Sequence, residues 1–345
     1  MFVQDSTKRS RLVNHAQRLA SRGRRLVVAG LCALAFGVPA AHASDAAKDF
    51  PSHQMRFILP LAPGSAMDSV ARYLATELGK HFGETVVVDN RPGGNHAIAV
   101  RALLTAPPDG HTIIIGSNST LWLNQALFKE LPYDTFKDIA PVTALFRGDV
   151  AYLVPSDSPY KTMGELIEAA RKKPGELRFG AAGFGYRLMV ENMNRRFELN
   201  TSYIPYKSTS DAVTAVASGT VDFGVADISA ALGLIQSGKL RPLAVASEAR
   251  SHLLPDTPTM DESGAPGYRE HTWNAASVHS DTPKPIIDKL AAALGEILNS
   301  DETKALYKRL GLTATPVGPD HLRELQREQY EELKRTIEFA KIELQ

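Results

Sequence analysis

The sequence predicts an α/β fold in which a largely parallel sheet is covered by helices. Short apolar runs at 57–59, 86–88 and 112–116 alternate with stretches of 10–15 residues whose apolar positions recur at helical spacing. The passage from strand to helix recurs as a small-residue or polar loop at 57–72, 113–122 and 178–190. In open α/β sheets such loops gather outside the carboxyl ends of the strands, where ligands bind. The length behind the leader, about 300 residues, gives room for two domains, each with its own core.

The chain opens on a leader. Arg22, Arg24 and Arg25 precede an uncharged, mostly apolar run at 26–40, and Ala41-His42-Ala43 offers a small-x-small cleavage site before Ser44. That pattern reads as a secretory signal peptide, residues 1–43, cut near Ala43. The run is too short to span a bilayer. The formal net charge of +1 becomes −5 without the leader, which argues against nucleic acid or an anionic membrane as partner. The single cysteine, Cys32, lies inside the leader, so the exported chain has neither disulfide nor thiol chemistry.

Next comes the strand at 57–59, closed by Pro60. Ser65, with Asp68 three residues on, predicts a capped helix start, and the helix runs to about Phe82. Gly64 between them suits a tight turn. Several unpaired N–H groups at such a helix start suit a carboxylate or phosphate. A second strand at 86–88 stops at the turn Asp89-Asn90-Arg91-Pro92-Gly93-Gly94-Asn95, a helix follows from His96 to Ala106, and a third strand covers 112–116. The polar loop 116–120 leads into another helix. Separate strands are expected at 138–146 and 150–155, a helix at 161–173, a strand at 178–182 and a Gly-x-Gly turn at 183–185 into a helix. Strands at 203–206, 221–226 and 241–247 alternate with helices at 210–217 and 230–237. The Pro- and Gly-rich segment 255–268 reads as a surface loop returning the chain to its first half. Helices at 286–298, 301–310 and 319–340 close the chain.

Enzyme signatures are mostly missing. Leu188 stands where a third glycine would complete a dinucleotide fingerprint, and there is neither a Walker loop nor a G-x-S-x-G elbow. No two of the eight histidines behind the leader lie at i,i+3 or i,i+4, so no single helix offers a zinc pair. The expectation is a binding protein, not an enzyme, with no cofactor and no metal. A secreted α/β enzyme stays the disfavoured alternative.

A string of motifs, in order, is similar to one known family. They are Pro63-Gly64-x-x-x-Asp68 with Ala71-Arg72, Asn90-Arg91-Pro92-Gly93, Pro108-Asp109-Gly110, Pro205-Tyr206-Lys207, Gly219-x-Val221-Asp222, the run from Gly238 to Ala244, Leu254-Pro255-Asp256-x-Pro258-Thr259, Gly264-x-Pro266-Gly267-Tyr268 and Thr282-Pro283-Lys284-Pro285-Ile286. Each is weak alone; together they resemble the solute-binding receptors of tripartite tricarboxylate transporters, the Bug family. The resemblance implies a type II periplasmic-binding-protein fold: two α/β domains, 44–152 plus 275–345 and 153–274, closing like a Venus flytrap on a cleft. It implies a periplasmic monomer that binds a small carboxylate and serves an integral membrane permease, or alternatively a ligand sensor for a signalling partner. Two loops are implied to grip the carboxylate. The first supplies Leu61, Pro63, Gly64, Ser65, Ala66 and Asp68, and the second Ala182, Gly183, Gly185, Tyr186 and Arg187. The loop from Ser117 to Thr120 and the strand end at Asp227 are expected to line the rest.

Departures from the family pattern concern the ligand. Ser65 replaces a glycine, Gly94-Asn95-His96 is a bulkier turn than usual, and Tyr186-Arg187 stands where a small hydroxyl residue is common. Arg187 is a candidate fork for a distal carboxylate, with solvent exposure as its alternative. Asp68 is read chiefly as a cap that orders its loop, Trp273 as core packing, and His96 as a loop residue at the surface.

Overall fold

The computed structural model describes residues 47–345, of which 49–345 form one compact unit. The leader reading falls on residues 1–43, outside the described residues. Among the described residues, no helix is long and apolar enough to cross a membrane.

Ten strands run in chain order: β1 (Met55–Leu59), β2 (Val86–Asn90), β3 (Thr112–Ser117), β4 (Ile139–Pro155), β5 (Arg178–Ala182), β6 (Ser202–Tyr206), β7 (Phe223–Asp227), β8 (Leu240–Val245), β9 (His271–His279) and β10 (Leu312–Ala314). Their spatial order is β2-β1-β3-β9-β4-β7-β5-β6, with β8 and β10 also paired to β4. The pairs β1–β2, β1–β3, β5–β6 and β5–β7 are parallel, as the strand–helix alternation predicts. Those involving β4 or β9 are antiparallel.

β4 is the shared element. Its residues 139–149 pair with β9, and 150–155 pair with β7 and β8. Here the structure departs from expectation: the two strands read at 138–146 and 150–155 are one strand of 17 residues. Arg147, Gly148 and Asp149 look like a break in sequence, but each is paired to β9, so the ladder carries the chain through. Beyond residue 149 the strand obeys the two-residue period. Val150, Tyr152 and Val154 enter one core, with Met163, Leu166, Val190 and Met193. Ala151 and Leu153 enter another, with Val213, Val216 and Ala231. Each fully buried aliphatic side chain of these layers contributes roughly 1.5–3 kcal/mol.

Among the described residues, nine helices of eight residues or more cover the sheet: α1 (Ala66–Phe82), α2 (Ala97–Leu104), α3 (Met163–Lys172), α4 (Gly183–Phe197), α5 (Thr209–Ala217), α6 (Ile228–Gln236), α7 (Lys284–Asn299), α8 (Asp301–Leu310) and α9 (Pro319–Phe339). α1 starts at Ser65, whose hydroxyl accepts the Asp68 N–H, and stops at Gly83 (φ 76°), whose N–H donates to the Gly79 carbonyl. A π-turn at Ser119–Leu123 follows β3 and packs Leu121 and Trp122 against Leu322 and Ile337 of α9.

Candidate ligand-binding cleft

Where β3 and β5 end, the chain encloses a cavity of about 720 Å³. Ser117 from the end of β3, Ala182 from the end of β5, Thr272 from β9 and Leu61 from the loop after β1 all reach its wall. Four segments far apart in sequence therefore meet at carboxyl ends of strands, as expected for a doubly wound sheet.

The amino end of α4 is the wall's most polar backbone. Its N-cap is Ala182, which makes no side-chain cap bond, and Gly183 follows at φ 71°. Nothing lies within 4 Å of where a Cβ on Gly183 or Gly185 would sit. Ala182, Gly183, Phe184 and Gly185 all line the cavity. The first N–H groups of this helix thus lack a side-chain cap, and helix N–H groups of this kind suit an anion.

The first loop is built differently. The Gly64 N–H (φ 93°) donates to Asp68 Oδ2 at 3.0 Å, and the Asp68 N–H donates to Ser65 Oγ at 3.1 Å. Arg72 Nε reaches Asp68 Oδ2 at 3.1 Å, and Asn90 Nδ2 bridges Asp68 Oδ1 (3.1 Å) and the Leu61 carbonyl (3.0 Å). Asp68 is only 5% exposed. The Arg72 guanidinium, then the Gly64 N–H and Asn90, hold its carboxyl below the usual aspartate range. Its oxygens are spent on the chain, so Asp68 orders the loop that carries Leu61 to the cavity. Among the described side chains of this loop Leu61 reaches the wall, and Pro63, Gly64, Ser65 and Asp68 stand off it.

Three other expected residues stand behind the wall. Thr120 is buried, with its hydroxyl 2.9 Å from Nδ1 of His96, which does line the cavity. Asp227 accepts the Tyr186 hydroxyl at 2.9 Å and the Thr272 hydroxyl at 3.0 Å, and both donors line the cavity. Burial, with Asp149 nearby, pushes the Asp227 carboxyl up, and burial pushes the Tyr186 phenol up. Arg187 turns elsewhere: its guanidinium lies 4.6 Å from the centre of the Tyr203 ring, and Nε is 3.7 Å from Glu191.

Asn118, Ser119 and Phe184 fall inside the two expected loops, 117–120 and 183–187, whereas Leu123, Asn124, Leu127 and Phe128 are lining residues that no sequence signal singled out. Asn95, Asn118, Ser119 and Asn124 extend the polar wall, while Leu123, Leu127, Phe128 and Phe184 make an apolar one. Asn118 also ties β3 to β9, its side chain accepting the Trp273 N–H and donating to the His271 carbonyl. Trp273 packs with Trp122 and the α9 side chains. Among the described residues, no lysine or arginine lines the cavity.

Away from it, His53, Asp109 and His111 bring ligand-type atoms within 4.8 Å of one another. The two imidazoles stack with centroids 3.7 Å apart and planes 13° apart, and His111 Nε2 accepts the Ser52 N–H. Lone pairs lie in the ring plane, so stacked rings cannot both aim at one ion.

Two α/β domains and a cleft fed by strand ends and an open helix N-terminus define a type II periplasmic-binding-protein fold of the solute-receptor class. The chain belongs to the tripartite tricarboxylate transporter receptor family, whose profile matches residues 70–342. Protein BugT of Bordetella pertussis is 31% identical over 305 residues, 87% of this chain and 92% of that protein. Rpa4515 of Rhodopseudomonas palustris, solved with adipate, superposes with a TM-score of 0.71 at 27% identity, covering 85% of this chain and 98% of that one. MatC of the same organism, solved with malate, gives a TM-score of 0.67 at 28% identity, covering 84% and 100%. Receptors of this family are periplasmic and bind solutes; the family is not an enzyme family.

Proposed function

We propose that the protein is an exported, monomeric receptor that captures a small carboxylate with a hydrocarbon body and delivers it to the membrane permease of a tripartite transporter. One observation carries this reading: the uncapped amino end of α4 opens onto a cavity about 720 Å³ in volume, opposite the hydroxyls and amides of 117–119. Amide and hydroxyl donors suit carboxylate oxygens. The apolar wall of Leu123, Leu127, Phe128 and Phe184 suits methylenes or a ring, and the volume is that of an ordinary small-molecule site. The adipate and malate held by two similar receptors support the ligand class.

In this reading 44–152 plus 275–345 form one domain and 153–274 the other, with the cleft between them. Gly183 and Gly185 offer amides, Leu61 and Tyr186 contact the ligand body, and Ser117 donates a hydroxyl. Thr120, Asp227 and Asp68 act from behind by fixing His96, Tyr186 with Thr272, and the first loop.

The test is a thermal melt of the exported chain against mono-, di- and tricarboxylates and amino acids. A ligand at about a hundred times its dissociation constant stabilises by roughly 2.7 kcal/mol, at on the order of 2–4 °C per kcal/mol for a chain of this size. A flat panel sinks the carboxylate reading.

A further inference from the structure

The bend between β2 and α2 places a side chain where a bare backbone would be less strained. Asn95 (φ 48°, ψ 45°) and His96 (φ 76°, ψ −8°) are consecutive residues in the left-handed region, which glycine enters freely and other residues enter at a cost. Two buried polar groups hold them there. Asn124, 5% exposed, donates from Nδ2 to the Asn95 carbonyl at 2.6 Å, and Thr120, 1% exposed, meets His96 Nδ1 at 2.9 Å. The imidazole is thereby pinned by one nitrogen. Its other nitrogen, Nε2, has no hydrogen-bond partner among the described residues, and the ring borders the cavity.

Among the described residues, His96 is also the one cavity-lining side chain that can become a cation, because no described lysine or arginine borders the wall. Titratable groups around it are few, and Gln345, which ends this sequence with a carboxyl group, also borders the cavity. The turn at Ser119–Leu123 has none, α2 offers the exposed Arg101, and Tyr186 across the cavity has its hydroxyl committed to Asp227. Arg72 on α1 is committed to Asp68. Burial alone holds the imidazole below its usual pKa, so the empty cleft is neutral at this point near pH 7.

We propose that His96 is the ligand-reading cation of the cleft: a bound carboxylate meets Nε2–H, and binding takes up a proton onto this imidazole. The proposal rests on the carboxylate reading above and adds a cation to the hydrogen-bonding dipoles of the wall. The sign follows from linkage. The ligand raises the pKa of His96, so affinity is greatest below the pKa of the empty site. It falls as pH rises through the two pKa values, by up to about tenfold per pH unit between them.

The experiment is titration calorimetry with a series of α,ω-dicarboxylates from succinate to suberate at pH 6 and pH 7.5, the latter in phosphate and again in Tris. Proton uptake makes the apparent enthalpy differ between the two buffers, and affinity should weaken toward pH 7.5. His96→Gly, which fits the same backbone bend, and His96→Asn, which tolerates it, should both fold, the relief of the bend offsetting part of the cost of the lost Thr120 contact. Both should bind on the order of tenfold more weakly at pH 6, the loss of one charge-assisted hydrogen bond, and show no buffer dependence. Binding with no buffer dependence in the wild type, or a buffer dependence that survives in both variants, overturns the role of His96 and leaves the receptor reading standing. Failure of the whole series to bind overturns both.

Discussion

Asp68 shows how a residue can match a binding motif and act on the chain instead. Ser65-x-x-Asp68 announced a helix cap in sequence, and the cap is there. Its further bonds to Gly64, Arg72 and Asn90 join positions up to 22 residues away. Truncation to alanine should destabilise the protein by about 1 kcal/mol, since it removes the bonds that order the loop while the partly exposed donors can turn to water; urea unfolding measures this. The carboxyl is held low, so its contribution is complete above the ordinary aspartate range near pH 3.9 and is lost on acidification through the lowered pKa. The gap between wild type and Asp68→Ala should therefore narrow on acidification below about pH 4; a gap that is constant with pH would point to packing alone. Tyr186 was legible as a cavity residue, but its partner Asp227 lies 41 residues on, and no local pattern encodes that pairing. Arg187, next in the chain, faces Tyr203 because a helix turns about 100° per residue.

At the scale of elements, the two glycines that open α4 differ in what they require. Gly183 sits at φ 71°, a conformation that costs a side chain roughly 1–2 kcal/mol. Gly185 has helical company and empty space where a Cβ would point. Gly183→Ala should lower stability by about that amount. Gly185→Ala should hold or raise stability, by up to about 1 kcal/mol, yet weaken ligand binding because the added methyl occupies the cleft. Paired melts with and without ligand separate the two, and equal behaviour would remove the distinction. The helices and parallel strands were legible because their apolar periods are clean. β9 was not: His-Thr-Trp-Asn-Ala-Ala-Ser-Val-His has no apolar run, and its small residues are buried between β3 and β4 only once the sheet has formed. β10 is three residues long and is defined by its partner alone.

Across the whole molecule, Glu270 joins distant parts. It immediately precedes β9 and borders a small cavity with Asn192 of α4 and Glu332 of α9. Asn192 Nδ2 donates to its Oε1 at 2.6 Å. Burial, against that bond and with Glu332 near, raises its carboxyl to a pKa of about 7. The folded state then holds a proton that the unfolded chain has released above the ordinary glutamate range near 4.3. Its cost to stability is absent below that range, grows with pH and is complete above pH 7. Glu270→Gln should therefore gain on wild type between pH 5 and pH 8, by up to about 2–3 kcal/mol, as read by denaturant unfolding at both pH values. A difference that does not change with pH would show that the carboxyl titrates normally.

One strand, β4, belongs to both halves of the sheet without a break. Any swing of one lobe against the other would then be carried as twist along a hydrogen-bonded ribbon whose ladder shifts register between Pro141 and Thr143, between Ala144 and Phe146 and between Tyr152 and Leu153. Such a connection behaves as a torsion spring, and its stiffness sets what each degree of jaw movement costs.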